Sequence, residues 1–401
     1  MLSIREARGR VLEAVRRLEI VETALLDSLG MTLAEEAVAG NDIPPFDNSA
    51  MDGYAIRVAD IEGASRDEPV ELSVLGDLPA GRVPQVTVGE GQALRIMTGA
   101  PMPRGADTVI PVESTQAREE SVLILEALEK GWHVRLAGED VREGETVLEP
   151  GIAVGPAEIG MLASLGYGKV RCYRRAVAGI IATGDELVGV DQELSPGKIR
   201  ESNSYTTYGM VLEAGAEPRR LGMVKDEASA LEDLIMRNMD EVDLFITSGG
   251  VSVGDYDMVK DVLGKLGEMN FWKVSMRPGK PQAFGHIHGK PLFGLPGNPV
   301  SVMVSFEQFV RPALLKMMGR KELLRPEVTA VMDTPIGRKR GRTELVRVVL
   351  EWREGRYHAI VTGPQGSGIL RSMVLGNGLA IIGEDVGRLE PGAEVTVQLL
   401  G

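Results

Sequence analysis

The hydrophobic pattern changes character several times along the chain. Ile4, Ala7, Val11, Val15 and Leu18 recur at helical spacing behind Ser3 and Glu6, a capping-box pair, so an amphipathic helix opens the molecule. From Tyr54 to about Val147 the apolar runs are short: residues 72–75, 93–97, 108–112 and 122–125, set apart by glycine, proline and charge. That spacing predicts a small, mostly β domain. Pro156 heads a short helix running to Leu165, in a connecting layer shared with residues 20–43. Beyond it strands and helices alternate. Strands are predicted at 177–182, 219–224, 244–246 and 292–295; helices at 204–214 (Asn203 as cap, Gly215 as stop), 228–239, 258–266 and 300–317. Alternation of this kind predicts a parallel, doubly wound sheet. After about Leu323 short strands return at 344–350, 357–361, 380–382 and 395–399. The expected fold is multidomain α/β, with a doubly wound, mostly parallel sheet. An inserted mostly-β domain, a connecting α+β layer and a small C-terminal β-barrel-like domain complete it. The expected boundaries are an N-terminal helix (1–19) packed on the sheet domain and a connecting domain (20–43 with 147–173). The inserted β domain takes 44–146, the sheet domain 174–322 and the C-terminal β domain 323–401.

Composition narrows this picture only a little. A chain of 401 residues has ample interior for several cores. The single cysteine, Cys172, excludes an intramolecular disulfide and reads as a small buried hydrophobe. No apolar run approaches bilayer-spanning length and the N-terminus lacks the apolar core of a secretion signal, so a soluble, cytoplasmic protein is expected. A formal charge of −14 argues against a general nucleic-acid surface. His286 and His288, at i, i+2 spacing, are expected on one strand face without a third metal ligand.

The candidate chemistry gathers after the strands, because ligands of a doubly wound sheet lie beyond the carboxyl ends of its strands. Residues 244–257 run from an apolar strand into Gly249, Gly250 and Gly254, then Asp255 and Asp257. Glycine lets backbone approach a phosphate, and carboxylates beside it call for a hard cation such as Mg²⁺. The other strand-end stretches are residues 183–186, Lys225-Asp226 and residues 294–299, where Asn298 and Pro299 start a helix whose amides could hold an anion. Lys273, Arg277 and Lys280 add positive charge nearby. In the inserted domain a proline-rich loop holds Asp47 and Asp52, and two further loops carry Thr98, Arg135 and Asp140. On their own these read as a strand end and a solvated pair. The basic run 338–342 is either a solvated turn or an anion contact, and residues 363–368 form a flexible, anion-friendly turn.

Taken together, Pro44-Pro-Phe-Asp-Asn-Ser-Ala-Met-Asp-Gly-Tyr-Ala, Met97-Thr-Gly-Ala-Pro, Thr183-Gly-Asp-Glu-Leu, Thr247-Ser-Gly-Gly-Val-Ser-Val-Gly, Arg277-Pro-Gly-Lys-Pro and Gly294-Leu-Pro-Gly-Asn-Pro-Val-Ser resemble the MoeA family, the molybdopterin molybdenumtransferases, similar to the E domain of gephyrin. The resemblance covers nearly the whole chain in order. It implies that residues 174–322 form a molybdopterin-binding domain of the MoaB/MogA kind. It also implies insertion of molybdate into adenylylated molybdopterin, with Mg²⁺-dependent cleavage of the phosphoanhydride and release of AMP. Tungstate, a tetrahedral dianion of similar size, would be treated alike. By position the resemblance assigns Asp52, Asp140, Glu186, Asp226 and Asp257 to catalysis, with Glu186, Asp226 and Asp257 handling the metal. Thr98, Arg135, Ser248, Gly249, Gly250, Ser252, Lys273, Arg277, Lys280, Pro296, Pro299 and Ser367 are assigned to substrate binding. Arg277 stands where many relatives carry lysine, so a planar fork replaces a compact ammonium. Also implied are a homodimer with a shared active site and hand-over from a molybdopterin adenylyltransferase. The sheet domain also resembles those adenylyltransferases, and a non-catalytic molybdopterin carrier or scaffold is the other alternative.

Overall fold

The computed structural model describes residues 1–250 and 258–400. The chain forms two compact units. One comprises Met1–Ala34, Pro150–Gly155 and Lys169–Gly401, the other Glu35–Glu149 and Pro156–Gly168.

The first unit opens with helix α1 (Ile4–Ala14), and the predicted capping box is present: Ser3 Oγ accepts from Glu6 N at 3.2 Å while the Glu6 carboxylate accepts from Ser3 N at 2.7 Å. Its apolar face, Ile4, Ala7 and Val11, is buried in the largest core. A short antiparallel ribbon follows, in which Lys169–Tyr173 lies between Ile20–Ala24 and Thr32–Leu33. Cys172 on this ribbon is fully buried, and burial pushes its thiol up to about 11, an inert hydrophobe as expected.

The central sheet is built from β1 (Val177–Thr183), α2 (Asn203–Glu213), β2 (Glu217–Val224), α3 (Ala228–Arg237), β3 (Leu244–Ser248), α4 (Met258–Leu266), β4 (Gly267–Lys273), β5 (Pro281–Ile287) and β6 (Lys290–Leu295). Strand order is β2-β1-β3-β6-β5-β4; the first four are parallel, and β5 and β4 extend the sheet antiparallel. All five residues of β3 are buried because both faces are covered: Leu244 and Ile246 enter one core, Phe245 the opposite one. Strand β2 forms one border, and its pairing with β1 skips Leu221, since Ile180 faces Arg220 while Ile181 faces Gly222.

After β6 the predicted helix 300–317 is one helical run with a π turn in its middle: α5 (Pro299–Ser305), the turn Phe306–Val310, then α6 (Arg311–Met317). The turn carries two buried polar side chains that find partners: Glu307 accepts from Arg325 Nε at 3.1 Å, and Gln308 donates to Gln398 at 2.6 Å. A closed five-stranded barrel ends the unit, from β7 (Glu327–Met332), β8 (Thr343–Arg353), β9 (Arg356–Val361), β10 (Gly378–Ile382) and β11 (Glu394–Leu399), around the ring β8-β9-β7-β11-β10. Barrel residues Leu345 and Leu379 join the same core as α1 and β3.

The second unit holds a six-stranded sheet in the order Thr108–Pro111, Gly53–Ile56, Gln92–Ile96, Val70–Leu78, Ser121–Ile124, Thr115–Ala117, with an apolar core on each face. Its helix Pro156–Ser164 starts on the proline that predicted it.

Two local expectations are corrected. His288 does not share a strand face with His286: it sits in the β5–β6 hairpin turn at φ +48°, whereas His286 lies on β5. Asn203 is not the cap of α2 but its first residue; Ser202 precedes it and makes no side-chain cap, and the Asn203 side chain is used elsewhere.

Candidate functional site

The carboxyl ends of β1, β2, β3 and β6 supply one edge of the first unit. After β1 come Asp185 and Glu186, and after β2 comes Asp226, whose backbone N donates to Asp185 Oδ1 at 3.4 Å. The Asp226 carboxyl is pushed above its usual range, by burial first and then by the Asp185 and Glu186 charges. Among the described residues no three His, Cys, Asp or Glu side chains are placed to ligate a metal by themselves.

At the end of β3, Gly249 has φ +91° and its N donates to Leu295 O at 3.1 Å. A Cβ there would lie 2.3 Å from Thr183 O, so only glycine lets β1 and β3 close on each other at this point. Gly250 is also at positive φ, +64°. Among the described residues the Ser248 Oγ beside them is buried without a partner. Ser252 and Asp257 lie outside the described residues.

Beyond β6 a cavity of about 500 Å³ opens between the 277–281 turn, the 296–301 segment and the barrel. Arg277, Lys280 and Arg342 supply its charge; Ser301, Gln365 and Ser367 supply neutral polar groups; no carboxylate lines it. Arg277 reaches Glu344 at 3.5 Å and keeps 57% of its side chain exposed, so most of the guanidinium remains available to a ligand. The basic run 338–342 therefore divides its work. Arg338 is buried, donating to the carbonyls of Ile382 at 3.1 Å and Gly383 at 3.0 Å, while Arg342 faces the cavity. Lys273 stands at the end of β4 opposite Pro281 and does not line the cavity.

The helix start at 298–299 offers fewer amides than expected. Pro299 has no N–H, and Val300 N donates to Ser367 O at 3.1 Å, so the barrel loop takes one donor an anion could use. That loop is held from beneath by Arg347, which is 1% exposed and donates through Nε to Ser372 Oγ and through Nη2 to Gly366 O, both at 3.1 Å. Burial pushes the Arg347 guanidinium down to about 10, against a partial lift from Glu344.

In the second unit Asp52 accepts from Thr98 N at 2.7 Å and Thr98 Oγ1 at 2.8 Å, which holds its carboxyl below the usual range. Gly53 beside it has no room for a Cβ, which would sit 2.1 Å from Ile110 O. Backbone bonds join the loops around them: Ser49 N to Ala100 O, Gly99 N to Ser49 O and Ala50 N to His133 O. Arg135 pairs in register with Asn48, and Asp140 N donates to Ile43 O. Thr98 is thus more than a strand end. Arg135 and Asp140 are both exposed and, among the described residues, form no pair with each other.

Arg347 escaped the sequence reading although it left a signal, a lone charge inside the apolar run Leu345-Val346-Arg347-Val348-Val349-Leu350; Arg342 and Ser301 lie within stretches the sequence singles out, the basic run 338–342 and the motif 294–301, and Asn203 reads there as a helix cap.

Residues 2–166 match the model of the MoeA N-terminal region (domain I and II), 179–316 that of the "Probable molybdopterin binding domain", and 329–400 that of the MoeA C-terminal region (domain IV). The chain is 40% identical over 403 residues to molybdopterin molybdenumtransferase 2 of Mycobacterium tuberculosis, covering 99% of each, and 36% identical to the molybdopterin molybdenumtransferase of Haemophilus influenzae, covering 99% of this chain and 98% of that one. The crystal structure of the molybdopterin biosynthesis MoeA protein of Pyrococcus horikoshii superposes with a TM-score of 0.84 at 32% identity, covering 100% of both chains. A glycine-lined sheet edge, its acidic corner and a cationic cavity against a closed barrel thus sit in a chain matched end to end, and the chain belongs to the MoeA family, the molybdopterin molybdenumtransferases.

Proposed function

We propose that this protein inserts molybdenum, supplied as molybdate, into adenylylated molybdopterin in the cytoplasm, cleaving the phosphoanhydride and releasing AMP. The observation that carries this reading is the separation of charge along one sheet edge: acids after β1 and β2, and a carboxylate-free cavity with Arg277, Lys280 and Arg342 beyond β6. Molybdate, a tetrahedral dianion, suits the cavity; tungstate suits it equally. The Arg277 fork would bind two oxygens at once where an ammonium binds one, and Lys273 adds charge at the approach. Pro296 and Pro299 shape the wall, and Ser367 contributes its hydroxyl.

The acidic corner fits Mg²⁺ as a partial ligand set. Glu186 and Asp226, with Asp257, would hold the ion, whose remaining sites suit waters and phosphate oxygens; burial first and then the Asp185 and Glu186 charges raise the Asp226 carboxyl, and a cation would relieve the latter. When bound, the ion supplies charge neutralisation at the anhydride. Ser248 and Ser252 would bring hydroxyl groups, and Gly249 and Gly250 a close backbone approach, against the pterin phosphates.

Asp52, Thr98, Arg135 and Asp140 belong to the second unit, and the proposal assigns them to the sheet site of a partner subunit in a homodimer. Mixed Asp52→Ala and Asp226→Ala subunits, each inactive alone, should then recover part of the activity; verified heterodimers without recovery count against sharing. The function itself is tested by supplying purified protein with adenylylated molybdopterin, Mg²⁺ and molybdate. AMP release together with reconstitution of an apo-molybdoenzyme is the expected result. Consumption of ATP on free molybdopterin would assign adenylylation instead, and binding without turnover a carrier. Faster turnover when the adenylyltransferase is present in the same assay would support direct hand-over.

A further inference from the structure

Asn203 stands at the first position of α2, where an asparagine ordinarily serves its own helix. Here it does not. Its Nδ2 reaches across to donate to Gly297 O at 2.8 Å, in the turn that forms the wall of the oxyanion cavity. The reverse amide orientation would set two oxygens at that distance, so the donor assignment follows from the geometry. The other end of the amide is costly: Asn203 Oδ1 is buried and, among the described residues, has no partner. A side chain that leaves an acceptor orphaned in order to hold one backbone carbonyl is there for that carbonyl.

The carbonyl belongs to a turn with few other restraints. Asn298 O accepts from Val302 N within the helix, and Val300 N is tied to Ser367 O of the barrel loop. The wall that carries Pro296, Asn298 and Ser301 is therefore pinned by the barrel on one side and by Asn203 on the other. Asn203 is itself anchored to the acidic corner by a short strap. Ile199 N donates to Glu186 O at 2.9 Å, Lys198 Nζ to Asp185 O at 2.5 Å, and the buried Glu201 accepts from Ser204 N at 2.7 Å and Ser204 Oγ at 2.5 Å.

We infer that Asn203 is a positioning residue for the oxyanion: it touches no ligand, and it fixes the 296–299 turn relative to the acidic corner so that Ser301 and the cationic groups face one tetrahedral anion together. This rests on the molybdate reading of the cavity. The test is calorimetric titration of molybdate into wild-type protein and the variants Asn203→Asp, an isostere that cannot donate when ionised, and Asn203→Ala. The expected result is a molybdate Kd raised about tenfold or more in both, roughly 1.4 kcal/mol, in proteins whose melting temperature stays within about 3 °C of wild type. A folded Asn203→Asp protein that binds molybdate as wild type does overturns the inference. So does a Kd that worsens only in step with a falling melting temperature, because general loosening would then explain it. Wild-type protein that takes up no molybdate overturns the oxyanion reading and this inference with it, whereas wild-type uptake with unchanged variants overturns the positioning role alone.

Discussion

Arg347→Met isolates what the buried guanidinium does beneath the barrel loop. Methionine keeps the unbranched apolar stem, though it is shorter than the guanidinium arm, and removes the charge and five N–H donors. Two bonds at 3.1 Å are lost, to Ser372 Oγ and Gly366 O. Hydrogen bonds from a charged group contribute about 1.5–3 kcal/mol each, so roughly 3–6 kcal/mol of interaction disappears. Against this, removing a buried charge with no carboxylate in direct contact relieves a desolvation cost of several kcal/mol. The two nearly offset, and a net loss of about 1–3 kcal/mol in urea unfolding is expected. Binding should suffer more than stability, because Gly366 and Ser367 line the cavity and Ser367 O ties the loop to the helix start. A molybdate Kd at least about tenfold weaker is the expected outcome. The pH dependence follows from the depressed value. A cation whose folded-state value lies near 10, below its value when unfolded, leaves the unfolded chain binding more protons as pH rises past 10. Wild type should therefore gain stability relative to Arg347→Met as pH rises from about 10 upward. A variant as stable as wild type at every pH, with unchanged molybdate binding, would refute the argument.

Thr98→Val removes the hydroxyl that donates to Asp52 and leaves the backbone donor, so carboxyl NMR titration should find Asp52 closer to its ordinary value. Because a depressed carboxylate contributes stability that is lost as pH falls through its folded value, the wild-type advantage should vanish in strong acid; an unmoved titration counts against the bond. Asp226→Asn relieves like-charge crowding after β2. Without metal it should melt no lower than wild type, and the upward thermal shift wild type shows with millimolar Mg²⁺ should be lost; a full shift in the variant removes Asp226 from cation binding. Gly249→Ala sets a methyl 2.3 Å from Thr183 O at φ +91° and should cost several kcal/mol or prevent folding, whereas Gly264→Ala, on α4 with no atom within 4 Å, should not destabilise. Equal stability of the two would refute the close-approach reading.

The sheet and barrel were legible because their signals are local. Period-2 and period-3.6 runs with glycine and proline between them placed β3, α4 and the barrel strands β8–β11 within a few residues. What local pattern could not carry was partnership across sequence. Strand β7 escaped notice although Glu327–Met332 alternates, and β4 and β5 because their runs are broken by charge and glycine. The strand-end loops were found, since a parallel sheet sends its ligand loops to one edge whatever their sequence. Which residue of the basic run 338–342 and of the 294–301 motif faces the cavity was not legible, because Arg342 and Ser301 reach it only through barrel packing and helix phase. Asn203 looked like a cap and is a cross-sheet tether, a distinction fixed by a partner 94 positions away.

Strand β2 leaves one flank of the central sheet without a neighbouring strand, and that flank is a hazard in any concentrated solution, since an exposed strand templates another. The skipped Leu221 is what blunts it. The bulge puts Gly222 at φ +126°, Pro218 withholds a donor, and Arg219 is paired with Glu217 and Glu241. A polypeptide laid along this flank would meet a broken ladder of donors and acceptors. Straightening it, by deleting Leu221 and replacing Pro218 with valine, would turn a silent border into an adhesive one, along which copies of the molecule would join into fibres.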